Sequence, residues 1–492
     1  MAAHKATAKG RRLKVSLEQF PVAPYEVDSY IRIIQHSLPM FLVLGWIYAV
    51  SLLVREVVYE KQERLKDVMR IQGLKTWVYW SSWVSSAMIQ MTLLVSLLVF
   101  LMSAGQITKH SDPTVLFTFF WLYSLATVSF SMFISSFFSR AKVAAACAGL
   151  AYWMAYMPYA LYNQYEEVLS VHAKNAFCLL SSTAMGVGTL IIGKWELVEV
   201  GLQWNNVNSP IPVTNSGAAP TDGHCMGTVW FMLIVDTIVY QVLAWYVEKV
   251  NPGTLGLPQP WYFPFMKSYW FPEEVGNIGA PSLAGNAEQL DNKNLECWEA
   301  APAEAASQTS VQIHGLSKTF PNGKQALQGV TLELHTGTIM GLLGHNGAGK
   351  STTMAILTGL YPPSSGDVLV HGASVRRDSL AVRKQLGVCL QHNALYESIT
   401  VEEHLRLFSC LKSVPADQVQ SEVDQLLADT GLLPKRNAPS RALSGGMKRK
   451  LSIAIALTGS SKVVTLDEPT AGVDATSRRD IWHLLVKYKM GR

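Results

Sequence analysis

The sequence predicts two unlike parts in tandem: an α-helical polytopic membrane domain, then a soluble α/β domain built around a phosphate-binding loop. Three observations predict this. Hydrophobic residues make up 49% of the 492 residues and charged ones only 16%, against roughly 25% in soluble chains. The long apolar stretches fall in the first half of the chain. In the second half, Gly344-His345-Asn346-Gly347-Ala348-Gly349-Lys350-Ser351 lies between the apolar run Ile339–Leu343, which reads as a buried strand, and Thr352–Leu357, which reads as the start of a helix. The mild net charge of +5, spread over both halves, is no footprint for nucleic acid. Six scattered cysteines without a CxxC pair indicate neither a metal site nor a disulfide framework.

The membrane half is read in chain order. Residues 1–37, which carry Lys5, Lys9, Arg11 and Arg12 and no apolar core, contain no cleavable signal peptide and form an N-terminal remnant. The transmembrane domain spans 38–250, with crossings near 38–54, 81–103, 115–138, 142–162 and 229–248. Arg55, Lys61, Arg64, Lys66, Arg70 and Lys75 between the first two spans, and Arg140 and Lys142 between the third and fourth, place both loops in the cytoplasm. The segments 104–114 and 163–228 are then external, and the last span returns the chain to the side where ATP is available. A crossing at 176–193 would reverse that, so this serine- and glycine-containing stretch is expected to be re-entrant or interfacial, its backbone sheltered by protein. Five spans put the basic N-terminus outside, which leads to the expectation that the native chain begins earlier. Cys178 and Cys225 share the external segment, so a disulfide and a pair of free thiols both stay open.

Within this half, Glu56–Gln72 has helix-forming composition, an apolar face of Leu65, Val68, Met69 and Gln72, a Glu60–Arg64 (i, i+4) pair and Gly73 as C-cap. It is expected to be a cytoplasmic lever that docks on the ATP-binding domain, the alternative being a solvated amphipathic helix. Asp236 in the last span is an intramembrane functional candidate or else the partner of a structural hydrogen bond, and Gln90 in the second span is equally ambiguous. Residues 251–310 form an interfacial segment, in which Pro252, Pro258, Pro260, Pro264 and Pro272 alternate with aromatic rings, followed by a flexible linker from 273.

The α/β domain spans 311–492. Its glycine loop directs backbone N–H groups at phosphate oxygens, Lys350 reaches the β- and γ-phosphates, the Ser351 hydroxyl is placed for Mg²⁺, and Thr352 opens the helix. Phe320 is a candidate adenine platform or simply a core aromatic, and Gln391 stands where a strand runs into a polar loop. Leu443-Ser444-Gly445-Gly446-Met447 opens a helix and forms a second phosphate-binding surface; the Lys448, Arg449 and Lys450 that follow oppose the helix dipole, which suits a nearby anion or acidic surface. The apolar strand ending in Asp467-Glu468 places Asp467 in the Mg²⁺ shell and Glu468 as the acceptor of a proton from the attacking water. Asp474 lies in the turn into the last helix, where His483 is a surface histidine.

The ordered set of glycine loop, Gln391, Ser444-Gly445-Gly446, Asp467-Glu468 and Asp474 resembles the nucleotide-binding domain of ATP-binding-cassette transporters. Finer features resemble subfamily A: methionine at 447, Gln391-His392-Asn393-Ala394-Leu395, Thr400-Val401-Glu402-Glu403-His404, Glu468-Pro469-Thr470-Ala471-Gly472-Val473-Asp474, Tyr59 to Met69, and Pro260-Trp261-Tyr262-Phe263-Pro264. The likeness runs from about residue 25 to the end. It implies an ATP-driven lipid transporter using ATP and Mg²⁺, with Gln391 also contacting the metal, Leu443–Met447 covering a partner domain's ATP, and Asp474 in the D-loop. It also implies a second membrane and nucleotide-binding half, a switch histidine beyond Arg492, and hence a chain that binds Mg-ATP and hydrolyses it poorly. An ATP-binding regulator that transports nothing, or an inactive truncated fragment, is the alternative.

Overall fold

The computed structural model describes residues 29–166, 168–210, 224–252, 258–270, 309–320 and 323–489. The basic N-terminal residues, the expected linker up to residue 308 and the Pro321-Asn322 turn lie outside the described residues, while Thr309 and Ser310, expected at the linker's end, already belong to the first strand.

The first helix, α1 (Ser29–Gln62), runs without a break through Pro39 and well past the expected end of the first span. Arg64 then adopts a left-handed conformation (φ 58°) and a separate short helix follows, α2 (Leu65–Ile71). The expected single helix over 56–72 is therefore two. The Glu60–Arg64 pair is not formed, because the turn at Arg64 takes its side chain out of helical register. Gly73 caps α2 as expected: it has φ +108°, its N–H donates to Arg70 O, and Leu74 N–H donates to Met69 O.

Next come α3 (Thr76–Ala104), α4 (Pro113–Ser135), α5 (Ala141–Met154) and α6 (Pro158–Tyr165). The stretch read as one span over 142–162 is broken ahead of Pro158, whose missing N–H leaves one helical hydrogen bond unmade. Then follow α7 (Val171–Phe177), α8 (Ser181–Leu197) and α9 (Met226–Val250). Among the described residues, four helices (37–62, Thr76–Ala104, Pro113–Ser135 and Met226–Val250) are long and apolar enough to cross a membrane.

The bundle core is aromatic, with Phe119, Phe120, Tyr123 and Tyr152 fully buried. Buried along most of its length, α8 packs against α1, α4 and α9. A methyl on Gly188 would lie 2.4 Å from the Phe119 ring and one on Gly186 2.6 Å from Tyr159, so only glycine permits this approach. Polar groups on α8 bond within the bundle, as Thr183 Oγ1 does to Ala155 O at 2.8 Å. Glu196, 2% exposed, accepts from His110 N–H, Ser111 N–H and Ser111 Oγ, and so ties the end of α8 to the loop before α4. Cys178 and Cys225 are free thiols. A four-residue helix, α10 (Lys267–Trp270), ends the described aromatic segment, where Phe263 is buried against Trp245 and Tyr246 of α9.

In the second half, β1 (Thr309–Thr319), β2 (Gln325–His335), β3 (Ser365–Val370) and β4 (Ala373–Ser374) form an antiparallel sheet in the order β2-β1-β3-β4. Helix α11 (Lys350–Leu357) buries Ile356 and Leu357 with Val311, Ile313 and Val368 of that sheet. Beyond α12 (Ser379–Gln385), β5 (Leu386–Cys389) pairs in parallel with β6 (Val463–Leu466). A helical layer is built from α13 (Val401–Leu411), α14 (Ala416–Thr430), α15 (Gly445–Leu457) and α16 (Ala475–Tyr488). Thr400 and Glu403 form a reciprocal capping box at the start of α13. The halves share one core: Val68 and Met69 of α2 and Tyr79 of α3 cluster with Cys389, Leu395 and Phe408.

The run Ile339–Leu343 departs from expectation. It forms no strand, and Ile339, Met340, Leu342 and Leu343 are 47%, 49%, 43% and 91% exposed. Apolar composition supplies the tendency to be buried in a sheet, but a strand also needs a neighbour to pair with, and this run is paired with neither β5 nor β6.

Candidate nucleotide-binding site

The glycine loop joins this irregular run to α11. Gly347 (φ +88°) and Gly349 (φ +93°) both sit in the left-handed region. Gly349 also has no room for a side chain, since a Cβ there would lie 2.6 Å from Leu327 Cδ2 and 2.8 Å from Ala326 O. The loop is exposed from Gly344 to Ala348, with Ala348 N–H donating to His345 O, and feeds directly into the N-terminus of α11, whose dipole and first-turn N–H groups suit an anion. Lys350 Nζ folds back on the loop and donates to Gly344 O (2.5 Å) and His345 O (3.0 Å). Ser351 is exposed one residue on, and Thr352 follows it in the first turn of α11. A phosphate chain with its Mg²⁺ fits this donor set: main-chain amides, one ammonium and one hydroxyl.

A second group gathers at the carboxyl ends of β5 and β6. Gln391 Nε2 donates to Glu468 Oε2 at 2.9 Å, so the glutamine meets one of the two carboxylates, and Asp467 N–H donates to Cys389 O at 2.9 Å, which holds the two loops together through the main chain. Glu468 holds a positive φ of 44°, unusual for a non-glycine residue and consistent with a loop shaped for a site. Burial pushes the nearby Cys389 thiol up to about 11, which leaves it an inert core group. Among the described residues no hydrogen bond links Lys350 or Ser351 to Asp467 or Glu468.

What joins this group to α15 is Arg449, one of the three basic residues whose placement in the sequence suits a nearby anion or acidic surface. The residue is 2% exposed, and its guanidinium donates to the carbonyls of Leu390, Gln391, Asp467, Glu468 and Pro469, at 2.5 to 3.1 Å. The anion reading is corrected for Arg449, because five donors in a rigid fork satisfy two converging loops at once. Lys450 instead pairs with Asp480 of α16.

Ser444 is the N-cap of α15, its hydroxyl accepting from Met447 N–H at 3.3 Å, while Leu443 is buried and anchors the approach. Ser444 and Gly445 are exposed at the mouth of a 13-residue helix. Asp474 caps α16 by accepting from Ser477 N–H, and that N–H holds its carboxyl below the ordinary carboxylate range. A Cβ on Gly446 would lie 3.3 Å from Asp474 Oδ1, so Asp474 and Gly446 are immediate neighbours. The structure thus unites Gln391, Asp467, Glu468, Arg449, Ser444–Met447 and Asp474 around α15, with the glycine loop as a separate exposed element.

Other candidates fall elsewhere. Phe320 packs edge-on against Tyr361 with Lys318 Nζ 5.9 Å from its ring centre. Asp236 is buried in the bundle, and its Oδ2 has no hydrogen-bond partner among the described residues. Gln90 lies on the exposed face of α3, and His483 is exposed on α16.

Comparison with known proteins identifies the chain's relatives. A family model described as ABC transporter matches residues 327–471, and one described as ABC-2 family transporter protein matches 6–246. Over 98% of its length the chain is 44% identical to the phospholipid-transporting ATPase ABCA7 of Homo sapiens and covers 22% of that protein. It is 40% identical, again over 98% of the chain, to the phospholipid-transporting ATPase ABCA3 of Homo sapiens, covering 28% of it. It is 38% identical over 97% of the chain to ATP-binding cassette sub-family A member 2 of Rattus norvegicus, covering 20% of it. The chain therefore spans only about a fifth to a quarter of the length of these relatives. Among solved structures it is similar to cbiO1 of Clostridium perfringens, with 30% identity, a TM-score of 0.35, and coverage of 37% of this chain and 74% of that one. An ABC-2 membrane region with apolar helices and an ABC nucleotide-binding domain follow one another in a single integral membrane chain, which belongs to the ATP-binding-cassette transporters and resembles their subfamily A.

Proposed function

We propose that the chain is the membrane domain and nucleotide-binding domain of an ATP-driven lipid transporter, in which ATP binding and hydrolysis on the cytoplasmic side change the shape of the helical bundle. The observation that carries this reading is the joint between the halves: Val68 and Met69 of α2, just after a membrane-length helix, are buried in the core beside β5, whose end bears Gln391. A nucleotide site whose loops touch a lever from the membrane domain has a mechanical output. The phospholipid-transporting relatives supply lipid as the substrate class.

The roles of the chain's own residues follow from their placement. Gly344 to Gly349 present amides to phosphates, with Lys350 released from the Gly344 and His345 carbonyls to face the charge. Ser351, Asp467 and Gln391 are the residues that would hold Mg²⁺, an ion that when bound neutralises phosphate charge and orients the γ-phosphate. Mg²⁺ is satisfied by a hydroxyl, one or two carboxylates and phosphate oxygens, so no cluster of three acidic residues is needed. Glu468, held by Gln391 Nε2, is positioned to accept the proton of the attacking water. Ser444 to Met447 and Asp474 form an exposed surface suited to covering the nucleotide of a second such domain. In the bundle, α8 is read as re-entrant, and Asp236 remains an intramembrane functional candidate.

The test is lipid movement in vesicles by the intact transporter. Lys350→Ala and Glu468→Gln should each abolish ATP-dependent movement of a labelled phospholipid while leaving insertion in the membrane unaltered. Unchanged movement in Lys350→Ala would refute the mechanism.

A further inference from the structure

The two halves meet through a polar contact as well as an apolar one, and that contact has a definite arrangement. Glu60 stands in the last turn of α1, ahead of the left-handed Arg64. Its Oε2 accepts from Tyr79 Oη at 2.8 Å and from Trp83 Nε1 at 3.1 Å, both on α3. Its Oε1 accepts from Tyr396 Oη at 2.9 Å, across 336 positions of sequence. One carboxylate oxygen is therefore committed to the membrane half and the other to the ATP-binding half. The Tyr396 hydroxyl also lies 3.4 Å from Met69 Sδ, so it touches the lever on both sides of the Arg64 break. Burial and the Glu60 carboxylate raise the Tyr396 hydroxyl pKa, which keeps it a donor.

Tyr396 is tied just as firmly on its other side. Its N–H donates to His404 Nε2 at 3.0 Å, and its carbonyl accepts from Ser440 Oγ at 2.7 Å. Five residues before it is Gln391, bonded to Glu468, and four residues after Ser440 is Ser444, the N-cap of α15. A shift of either the Gln391–Glu468 pair or the N-terminus of α15 thus reaches one hydroxyl group through short, hydrogen-bonded segments. The neighbouring polar contacts behave differently: Lys66 pairs with Glu248 of α9, and Trp80 Nε1 donates to the same carboxylate at 3.0 Å, both wholly within the membrane half.

We propose that the Glu60–Tyr396 hydrogen bond is the positioning link that passes the state of the Gln391–Glu468 pair to the α1–α2 lever, an inference that rests on the transport reading above. A static interfacial hydrogen bond would have the same geometry, so the experiment must separate position from mere stability. Tyr396→Phe deletes one hydroxyl, keeps the ring and leaves the Tyr79 and Trp83 bonds to Glu60 in place. Glu60→Gln disturbs the same link from the other side, and Tyr79→Phe removes only a bond internal to the membrane half.

The intact protein is reconstituted in phosphatidylcholine–phosphatidylserine vesicles, and ATP turnover is compared with that in detergent lacking lipid. Tyr396→Phe should keep its KM for ATP within about twofold while the lipid stimulation of kcat falls by about tenfold, the scale of one lost hydrogen bond to a charged group. Combining Tyr396→Phe with Glu60→Gln should lower the stimulation no further than either alone, and Tyr79→Phe should lower it by less than about threefold. Independently, ATP should alter amide exchange across 60–72 in the wild type, and Tyr396→Phe should erase that response while the glycine loop is still protected by ATP. Wild-type stimulation in Tyr396→Phe, or an effect that multiplies with Glu60→Gln, overturns the link. If the wild type shows no lipid stimulation, it is the transport reading that fails. The exchange measurement then decides the link alone: an ATP response at 60–72 that is absent in the wild type, or retained in Tyr396→Phe, overturns it.

Discussion

Arg449→Ala should be among the most damaging single substitutions in the ATP-binding half. The residue is 2% exposed and its side chain serves five main-chain carbonyls on two loops, with Asn393 Oδ1 a longer contact at 3.4 Å. Each hydrogen bond to a charged group contributes about 1.5–3 kcal/mol, but five of them cannot be summed, because loops freed from the guanidinium recover part of the loss by turning carbonyls to water. The scale for breaking a buried charged network, about 3–5 kcal/mol, is the better guide. For a domain of this size it corresponds to a fall in Tm of about 6–20 °C. Thermal unfolding of the detergent-solubilised chain, followed with Arg449→Ala and Arg449→Lys, measures this. Lysine keeps the charge but has three donors on one atom, so it cannot bridge loops as the planar fork does, and Arg449→Lys should fall between the other two. A drop of less than about 2 °C for Arg449→Ala would refute the reasoning, since the carbonyls would then not need their donor.

Two further outcomes follow from the same geometry. Gly349→Ala places a methyl 2.8 Å from Ala326 O at φ +93°, a strain of about 1–3 kcal/mol; binding of a fluorescent ATP analogue should weaken by about tenfold or more, and unchanged affinity would show that the loop tolerates side chains. His404 is fully buried, with Nδ1 donating to Thr400 O and Nε2 accepting from Tyr396 N–H, and burial lowers its pKa below the ordinary 6.5. The unfolded chain therefore takes up this proton first as pH falls, so the stability tied to neutral His404 is present above about 6.5 and lost as pH drops from there toward the lowered folded value. Tm should fall between pH 7.5 and 5.5 by more in the wild type than in His404→Gln; parallel curves would contradict it.

Much of this was legible in the sequence because it rests on local rules. The apolar stretches identified the long helices, the Gly344–Ser351 pattern located a loop whose Gly347 and Gly349 do sit at positive φ, and Gly73 announced the end of a helix that does stop there. Gln391 and Glu468, 77 residues apart and each marked by its own local pattern, are hydrogen-bonded. Patterns of this kind are carried by a few neighbouring residues, so they survive without knowledge of what packs beside them.

What escaped the sequence depends on a partner far along the chain. Ile339–Leu343 has the composition of a buried strand, but composition cannot state whether a pairing neighbour is at hand, and here the run is exposed. The (i, i+4) spacing pairs Glu60 with Arg64; the helix break at Arg64 removes that option, and Tyr79, Trp83 and Tyr396 take the carboxylate instead. Arg449 and its neighbours Lys448 and Lys450 look alike as three cations in one helical turn. Only the one that points under the loops after β5 and β6 becomes a structural donor, while Lys450 reaches Asp480. A charged side chain in a sequence declares what it can bond, and the fold decides which acceptor comes within reach. That is why the polar contacts joining the two halves were less visible from the chain than the apolar face of Val68 and Met69, which docks as its pattern indicates. It is also why Tyr396, whose sequence context is an ordinary strand-to-helix loop, becomes the residue on which communication between them turns.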